Sequence, residues 1–237
     1  MSVIIGEISE IVRYPVKSFA GERLEKCTIE AYGLYGDRFG AFFDPAKVGW
    51  ESYVTARTIP QMLGYQASLV EDQVLVKSPD GRTFAWNGQL LEEIQRYTRK
   101  TISMTEYRAP NLESPELMSV DSASILIVTD TSLHKLEAIW NQPLNPRRFR
   151  ANLVVTLEGD GKDESEWIGK RLRVGDSELQ VDSYCERCAM ITIDPDTLER
   201  DSTLLRKVNE EMNLQFGVYA SVVKGGPIQV GEKVYLL

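Results

Sequence analysis

The stretch RLRVGDSELQVDSY, residues 171–184, alternates apolar and polar side chains on both sides of a Gly175-Asp176 pair. Two alternating runs joined by such a pair predict a β-hairpin. Residues 3–13 and 216–237 also read as strands divided by turn residues, and strands and helices do not alternate regularly. We therefore predict a mainly β fold with a few short helices, in which a sheet closes on itself as a barrel.

Three segments have the apolar spacing of short amphipathic helices. Asn87 is placed to cap the first helix, the second is predicted to begin within residues 130–132, and Asp201 or Ser202 is placed to cap the third. Three short helices without regular βαβ alternation favour a sheet that closes or packs on itself.

A polar, proline-bearing run, YRAPNLESPELMSVDSAS at 107–124, interrupts these elements. Such composition is typical of a domain boundary, although it also occurs in loops that contact a ligand. The sequence therefore predicts two domains, residues 1–106 and 107–237.

The composition of the 237 residues, 43% hydrophobic and 26% charged, is that of a globular protein. A net charge of -8 disfavours nucleic-acid binding, although the basic run PRRFR, 146–150, suits a small polyanion. No stretch approaches the roughly 20 apolar residues of a membrane span, and the N-terminus lacks the pattern of a signal peptide. With only three cysteines, no disulfide framework is expected. We predict a cytoplasmic protein with no nucleic-acid or membrane partner.

Cys185 and Cys188 form a CxxC pair whose chemistry the spacing alone does not decide. A structural zinc site needs four ligands, and the chain offers only Cys27 and His134 in addition. A thioredoxin-like redox pair needs a following helix, whereas the next residues, AMITIDP, predict a strand. Since His134 falls within a predicted helix, hydrolysis by a Ser-His-Asp or Cys-His arrangement is not expected.

A third interpretation treats both thiols as small buried side chains, since free cysteine is often buried. The charged pair Glu186-Arg187 between the thiols favours instead a loop at a polar site. The thiol pair therefore stays a candidate for metal binding, with the identity of the metal open at this point.

Several motifs together carry a family resemblance. YPVKS (14–18) and GLYGDR (33–38) resemble the opening of the N-terminal β-barrel domain that precedes many MOSC domains. The later motifs resemble the MOSC domain itself; they are RRFRANLVV (147–155), CERCAMITIDPDT (185–197), FGVYASV (216–222) and IQVGEKVYLL (228–237). This domain occurs in molybdenum cofactor sulfurases and in the mitochondrial amidoxime-reducing component. The resemblance implies a β-barrel MOSC fold after an N-terminal β-barrel-like domain.

The resemblance also implies molybdenum cofactor, Mo-molybdopterin, with a protein cysteine as a metal ligand. By the motif this cysteine is Cys188, with Cys185 as the alternative. The residues that fall where the family holds the cofactor are Lys17, Ser18, Arg38, Ser122, Arg150 and Asn152. Arg187, beside the ligand, is a candidate catalytic residue that stabilises charge on the metal or substrate. The family's FRPN-like tetrapeptide is FRAN here, with Ala151 in place of proline.

The implied activity is reduction of N-hydroxylated small molecules. The three cysteines are too few for an added iron–sulfur domain, so electrons are expected from an external flavin or iron–sulfur protein. The alternative is a non-catalytic carrier of molybdenum cofactor, or of sulfur as a Cys188 persulfide. Arg147 and Arg148 are expected to form surface salt bridges without a chemical role.

Overall fold

A computed structural model of the protein describes residues 2–106, 123–159 and 163–237. The strands of the described residues are β1 (Val3–Arg13), β2 (Glu22–Leu24), β3 (Lys26–Glu30), β4 (Gly33–Leu34), β5 (Gly40–Phe43), β6 (Tyr53–Val54), β7 (Gln66–Val70), β8 (Gln73–Lys77), β9 (Thr83–Ala85), β10 (Ser103–Glu106), β11 (Ile125–Thr129), β12 (Leu153–Leu157), β13 (Arg171–Val174), β14 (Ser177–Glu186), β15 (Gln215–Lys224), β16 (Gly226–Gln229) and β17 (Lys233–Leu236). The α-helices are α1 (Gly88–Gln95), α2 (Asp130–Trp140) and α3 (Ser202–Met212). Short 3-10 helices occupy Gly49–Ser52, Pro60–Gly64, Pro146–Phe149, Glu164–Trp167 and Ala189–Thr192. The prediction of a mainly β fold with a few short helices is confirmed.

A closed barrel is the main feature of the fold. Its seven strands follow the order β12-β11-β15-β14-β13-β17-β1, and pairing of β1 with β12 closes the ring within the described residues. The predicted hairpin is present, since Val174 of β13 pairs with Ser177 of β14 around Gly175-Asp176. Buried aliphatic side chains such as Ile8, Ile127 and Val181 fill the barrel. Closure leaves no open sheet edge in the ring, and this confirms the predicted barrel.

A second core lies in the first half of the chain. Three-stranded sheets β10-β5-β6 and β7-β8-β9, together with α1, surround Phe19, Phe42, Met62 and Tyr65. The barrel nevertheless takes β1 from this half, and β3 pairs with β16 from the other half. Strands from residues 1–106 therefore pair with strands from residues 107–237 at two places. The division of the chain into two domains at these bounds stays a prediction.

Each helix begins at a side chain that accepts a hydrogen bond from its first turn. Asn87 accepts from the backbone N–H of Gln89, Thr129 from that of Ser132, and Asp201 from that of Thr203. The predicted starts are thereby confirmed to within one residue. α2 and α3 pack on the barrel around a third core that includes Leu136, Leu204 and Phe149. Within the described residues no helix is long and apolar enough to cross a bilayer.

The prediction of a strand directly after Cys188 was wrong. Residues Ala189–Thr192 form a 3-10 helix, and the next residue, Ile193, makes only an isolated bridge with Arg200. The guanidinium of Arg148 donates a hydrogen bond to the carbonyl of Ile191 at 3.1 Å, and the Thr192 hydroxyl donates to Ala189. These contacts override the β propensity of the sequence, which is a preference that context readily reverses.

Candidate functional site

One cavity of about 190 Å³ collects the described residues that the sequence singled out for the cofactor. It is lined by Lys17, Ser18, Arg38, Arg150, Asn152, Cys185, Arg187 and Cys188. These side chains come from segments that are up to 171 positions apart in the chain, and the barrel brings them together. Ser122 lies outside the described residues, although the next residue, Ala123, lines the cavity.

Three of the lining residues have a backbone conformation that side chains other than glycine seldom adopt. The φ angles are 67° at Ser18, 54° at Arg38 and 57° at Arg150. Left-handed conformations of this kind are concentrated at functional sites, where the surrounding structure compensates their cost. Their occurrence at three positions around one cavity makes it a candidate functional site independently of any motif.

Arg38 and Arg150 both lie against the ring of the buried Tyr14. Their guanidinium carbons are 4.6 Å and 4.2 Å from the ring centroid. Asp37 pairs with Arg38, and Arg150 donates a hydrogen bond to the carbonyl of Phe19 at 2.6 Å. Burial raises the pKa of the Tyr14 hydroxyl, so the ring beside the two cations stays neutral. Because Arg38 and Arg150 both line the cavity, their planar donor groups favour binding of an anion, such as a phosphate, there.

Asn152 lies directly before β12 and contacts the neighbouring strands β1 and β11. Its Oδ1 accepts from the backbone N–H of Leu126 at 3.2 Å, and its Nδ2 donates to the carbonyl of Val12 at 3.2 Å. Among the described contacts these use one of the two amide hydrogens. Asn152 is therefore rigidly placed at the cavity wall by β1 and β11.

The two thiols differ in their surroundings. Cys185, at 2% exposure, lies near the end of β14, and Arg187 Nη1 donates to its Sγ at 2.8 Å. Cys188 is half-buried and stands at the N-terminus of the 3-10 helix that follows. Of the two, Cys188 is the more accessible thiol, whereas Cys185 is held by a protein cation.

Arg187 is a buried residue whose contacts go to the protein. Besides the bond to Cys185, Nη2 donates to the carbonyl of Phe149 at 2.7 Å, and the guanidinium lies 5.2 Å from the Phe149 ring centroid. Its Nε has no hydrogen-bond partner among the described residues. This geometry gives Arg187 a positioning role, and a catalytic role for it stays a prediction.

The cavity is strongly cationic although the protein is acidic. Lys17, Arg38, Arg57, Arg150 and Arg187 line it, and among the described residues Glu186 is the only acid that does so. The whole chain has a net charge of -8. A positive cavity in a negative molecule concentrates its attraction for anions at one place.

The lining residues that sequence reasoning missed include Thr55 and Arg57. They follow β6 in the stretch YVTARTIP, which has no spacing that identifies a site. The sequence shows only a threonine and an arginine separated by Ala56. Such pairs are common on protein surfaces, so only the fold could reveal their position.

The remaining candidates of the sequence lie outside the cavity. Arg147 forms an exposed ion pair with Asp196, as expected, but Arg148 is buried and pairs with Asp194 at 2.7 Å. The prediction that Arg148 lies on the surface was wrong. His134 is exposed on α2. Within the described residues no three His, Cys, Asp or Glu side chains are grouped so that they could hold a metal ion.

Comparison with protein families decides the family of this chain. A model described as the MOSC domain matches residues 114–235, and a model described as the MOSC N-terminal beta barrel domain matches residues 5–116. The chain belongs to the MOSC domain family. The resemblance inferred from the motifs is thus confirmed, including the N-terminal β-barrel domain.

Known members of this family extend the comparison. Mitochondrial amidoxime reducing component 2 of Macaca fascicularis is 25% identical, with 98% of this chain aligned to 83% of that protein. Molybdenum cofactor sulfurase of Drosophila mojavensis is 32% identical, but only 48% of this chain aligns, with 14% of that protein. The crystal structure of the YUAD protein from Bacillus subtilis has a TM-score of 0.55 at 12% identity, and covers 100% of this chain and 97% of that one. That structural likeness supports the fold alone.

Proposed function

We propose that this protein binds molybdenum cofactor in the cationic cavity and reduces N-hydroxylated small molecules there. The observation that carries the proposal is the convergence of Lys17, Ser18, Arg38, Arg150, Asn152 and Cys188 on one cavity. Near-full-length similarity to amidoxime reducing components supports the reaction class. Both domain models contribute residues to the cavity, since the first covers 5–116 and the second 114–235.

The chemistry of the lining residues fits this cofactor. Arg38 and Arg150 offer planar forks of donors to the pterin phosphate, and Asn152 offers an amide hydrogen to the pterin. The thiol of Cys188 is a soft ligand suited to a metal whose other ligands arrive with the cofactor. When bound, the cofactor supplies the two-electron chemistry, and the chain supplies binding and orientation.

The proposed reaction balances with an external reductant. An N-hydroxylated compound takes up two electrons and two protons, its N–O bond breaks, and the amine or amidine and water are released. The electrons come from a flavin or iron–sulfur protein, which is the external partner that the proposal requires. Arg187 holds the segment that bears Cys188 by its bonds to Cys185 and Phe149, and thereby orients the thiol that would hold the metal.

A second candidate function is a carrier of sulfur or of molybdenum cofactor. The presence of two thiols, Cys185 and Cys188, at one cavity favours it, because attack of one thiolate on a persulfide of the other would break its S–S bond, release hydrosulfide and leave a Cys185–Cys188 disulfide. Similarity to molybdenum cofactor sulfurases, over 48% of this chain, points the same way. The cellular location of the protein stays the prediction made from the sequence, which is cytoplasmic. The small-molecule substrate and the redox partner are part of the proposed reductase activity.

The test is turnover by the protein purified from a host that supplies molybdenum cofactor. With a reduced viologen as electron donor, wild type is expected to convert benzamidoxime to benzamidine, and Cys188→Ala is expected to be inactive. Cys27→Ala is the matched control, because Cys27 lies on β3 away from the cavity, and it should retain activity. Retained turnover and metal content in Cys188→Ala would refute the assignment of Cys188 as the metal ligand. A cofactor-loaded wild type without turnover would favour the carrier.

A further inference from the structure

Two aromatic side chains stand beside the cationic cavity. Trp50 and Tyr53 lie in and after the 3-10 helix Gly49–Ser52, with ring centroids 5.6 Å apart and planes tilted by 45°. The ammonium of Lys17, which lines the cavity, is 4.9 Å from the Tyr53 centroid and 5.9 Å from that of Trp50. We call Trp50 and Tyr53 the aromatic pair.

The aromatic pair is close to the cavity in the sequence as well as through its contact with Lys17. Thr55 and Arg57, which directly follow β6, line the cavity wall. Trp50 is 52% exposed, so part of its indole ring is accessible to a ligand. A ligand that reaches from the cavity toward solvent on this side would therefore meet the face of Trp50.

We propose that the aromatic pair is a substrate subsite that selects planar, uncharged aromatic N-hydroxylated compounds. Indole and phenol rings stack well on planar groups, and ring pairs contribute beyond their buried area. The Lys17 ammonium already lies over both rings, so a cationic ligand would meet a like charge there. This inference rests on the proposed reductase activity for the identity of the ligand.

The charges of substrate and product differ, and this difference would make the subsite bind the substrate more tightly than the product. An amidoxime is a weak base and is neutral near pH 7, whereas the amidine that remains after loss of the oxygen is a strong base and carries a positive charge. The cations Lys17 and Arg57 at this wall would weaken binding of the product relative to the substrate. The same residues that bind the neutral amidoxime would thus promote release of the charged amidine.

The first experiment compares an aromatic with an aliphatic substrate. In the holoenzyme, Trp50→Ala is expected to lower the ratio of kcat/KM for benzamidoxime to that for acetamidoxime by about tenfold, as loss of a stacking contact predicts. Trp50→Phe should keep most of the preference. Val48→Ala is the matched control, since Val48 is 89% exposed two residues away, and it should leave the ratio unchanged. An unchanged ratio in Trp50→Ala would overturn the subsite.

The second experiment measures binding without turnover. Quenching of tryptophan fluorescence by benzamidoxime should be reduced in Trp50→Phe relative to wild-type holoprotein, and benzamidine should bind roughly tenfold more weakly than benzamidoxime. Binding that depends on Trp50 in a protein without reductase activity would keep the subsite and reject the proposed reaction. Turnover with no dependence of binding on Trp50, or benzamidine binding as tightly as benzamidoxime, would reject the subsite and leave the reaction intact.

Discussion

The adjacent residues Arg147 and Arg148 lie in different surroundings although the sequence treats them alike. The side chain of Arg148 is 6% exposed, pairs with Asp194 and lies 5.7 Å from the Trp140 ring centroid. That of Arg147 is 46% exposed and pairs with Asp196. Burial raises the pKa of the Asp194 carboxyl, but N–H donors from Thr197 and Asp196 and the charge of Arg148 outweigh it and leave the pKa lowered.

Arg148→Ala is expected to destabilise the protein far more than Arg147→Ala. The change removes the ion pair with Asp194, the hydrogen bond to the carbonyl of Ile191 and the packing of a buried side chain, and this costs about 3 kcal/mol of unfolding free energy. Truncating the exposed partner costs at most about 1 kcal/mol. Urea denaturation of the two variants measures both values. Equal losses in the two variants would contradict the buried role of Arg148.

At the scale of elements, Glu164 joins the 3-10 helix Glu164–Trp167 to the start of α2. The Ser132 hydroxyl donates to its carboxylate at 2.5 Å, and Thr129 donates to the same oxygen. Burial raises the pKa of Glu164 above its usual value of 4.5, and the two hydroxyls offset only part of the rise. The folded state therefore binds the Glu164 proton more tightly than the unfolded chain does.

The stability that Glu164 contributes should fall as the pH rises. A raised pKa in the folded state gives a contribution that is complete below the unfolded pKa, about 4.5, and is lost as the pH passes through the folded value. Relative to Glu164→Gln, whose side chain does not titrate, wild type should lose unfolding free energy as the pH rises above about 4.5. Parallel pH profiles of the two proteins would refute this.

The closing pair of the barrel, β1 and β12, leaves no room for a side chain at Gly6. A Cβ built there would lie 2.2 Å from the backbone oxygen of Thr156. Gly6→Ala should therefore force the strands apart and lower the unfolding free energy by about 2 kcal/mol, in the range of overpacked cores. Gly88→Ala, at the open start of α1, is the control and should cost nothing. Thermal unfolding measures both, and equal melting temperatures would contradict the tight closure.

At the scale of the whole molecule, local pattern predicted much of the fold and little of its long-range pairing. Alternation in 171–184 was enough to predict the β13–β14 hairpin, because both strands are adjacent in the sequence. Pairing of Ile11 with Leu153 joins distant segments, and no local pattern encodes it. The 3-10 helix at Ala189–Thr192 likewise depends on Arg148, a contact across 43 positions.

Some residues of the candidate site could be predicted from the sequence, and others could be found only in the fold. Family motifs pointed to Lys17, Arg38 and Cys188, and the fold places these three at one cavity. Thr55, Arg57 and the aromatic pair had no motif, and they became visible only through their position beside Lys17. Sequence motifs thus identify the residues that the family shares, whereas residues that would select a particular substrate have to be located in the folded molecule.

The central claim is that the cavity holds molybdenum cofactor with Cys188 as the metal ligand. The most direct test is molybdenum per chain by elemental analysis, with fluorescence of the released pterin, in wild type, Cys188→Ala and Cys185→Ala from a host that supplies the cofactor. A single thiolate ligand predicts about one molybdenum per chain in wild type and in Cys185→Ala, and almost none in Cys188→Ala. Loss of the metal in Cys185→Ala alone, or wild type without molybdenum and pterin, would contradict the claim.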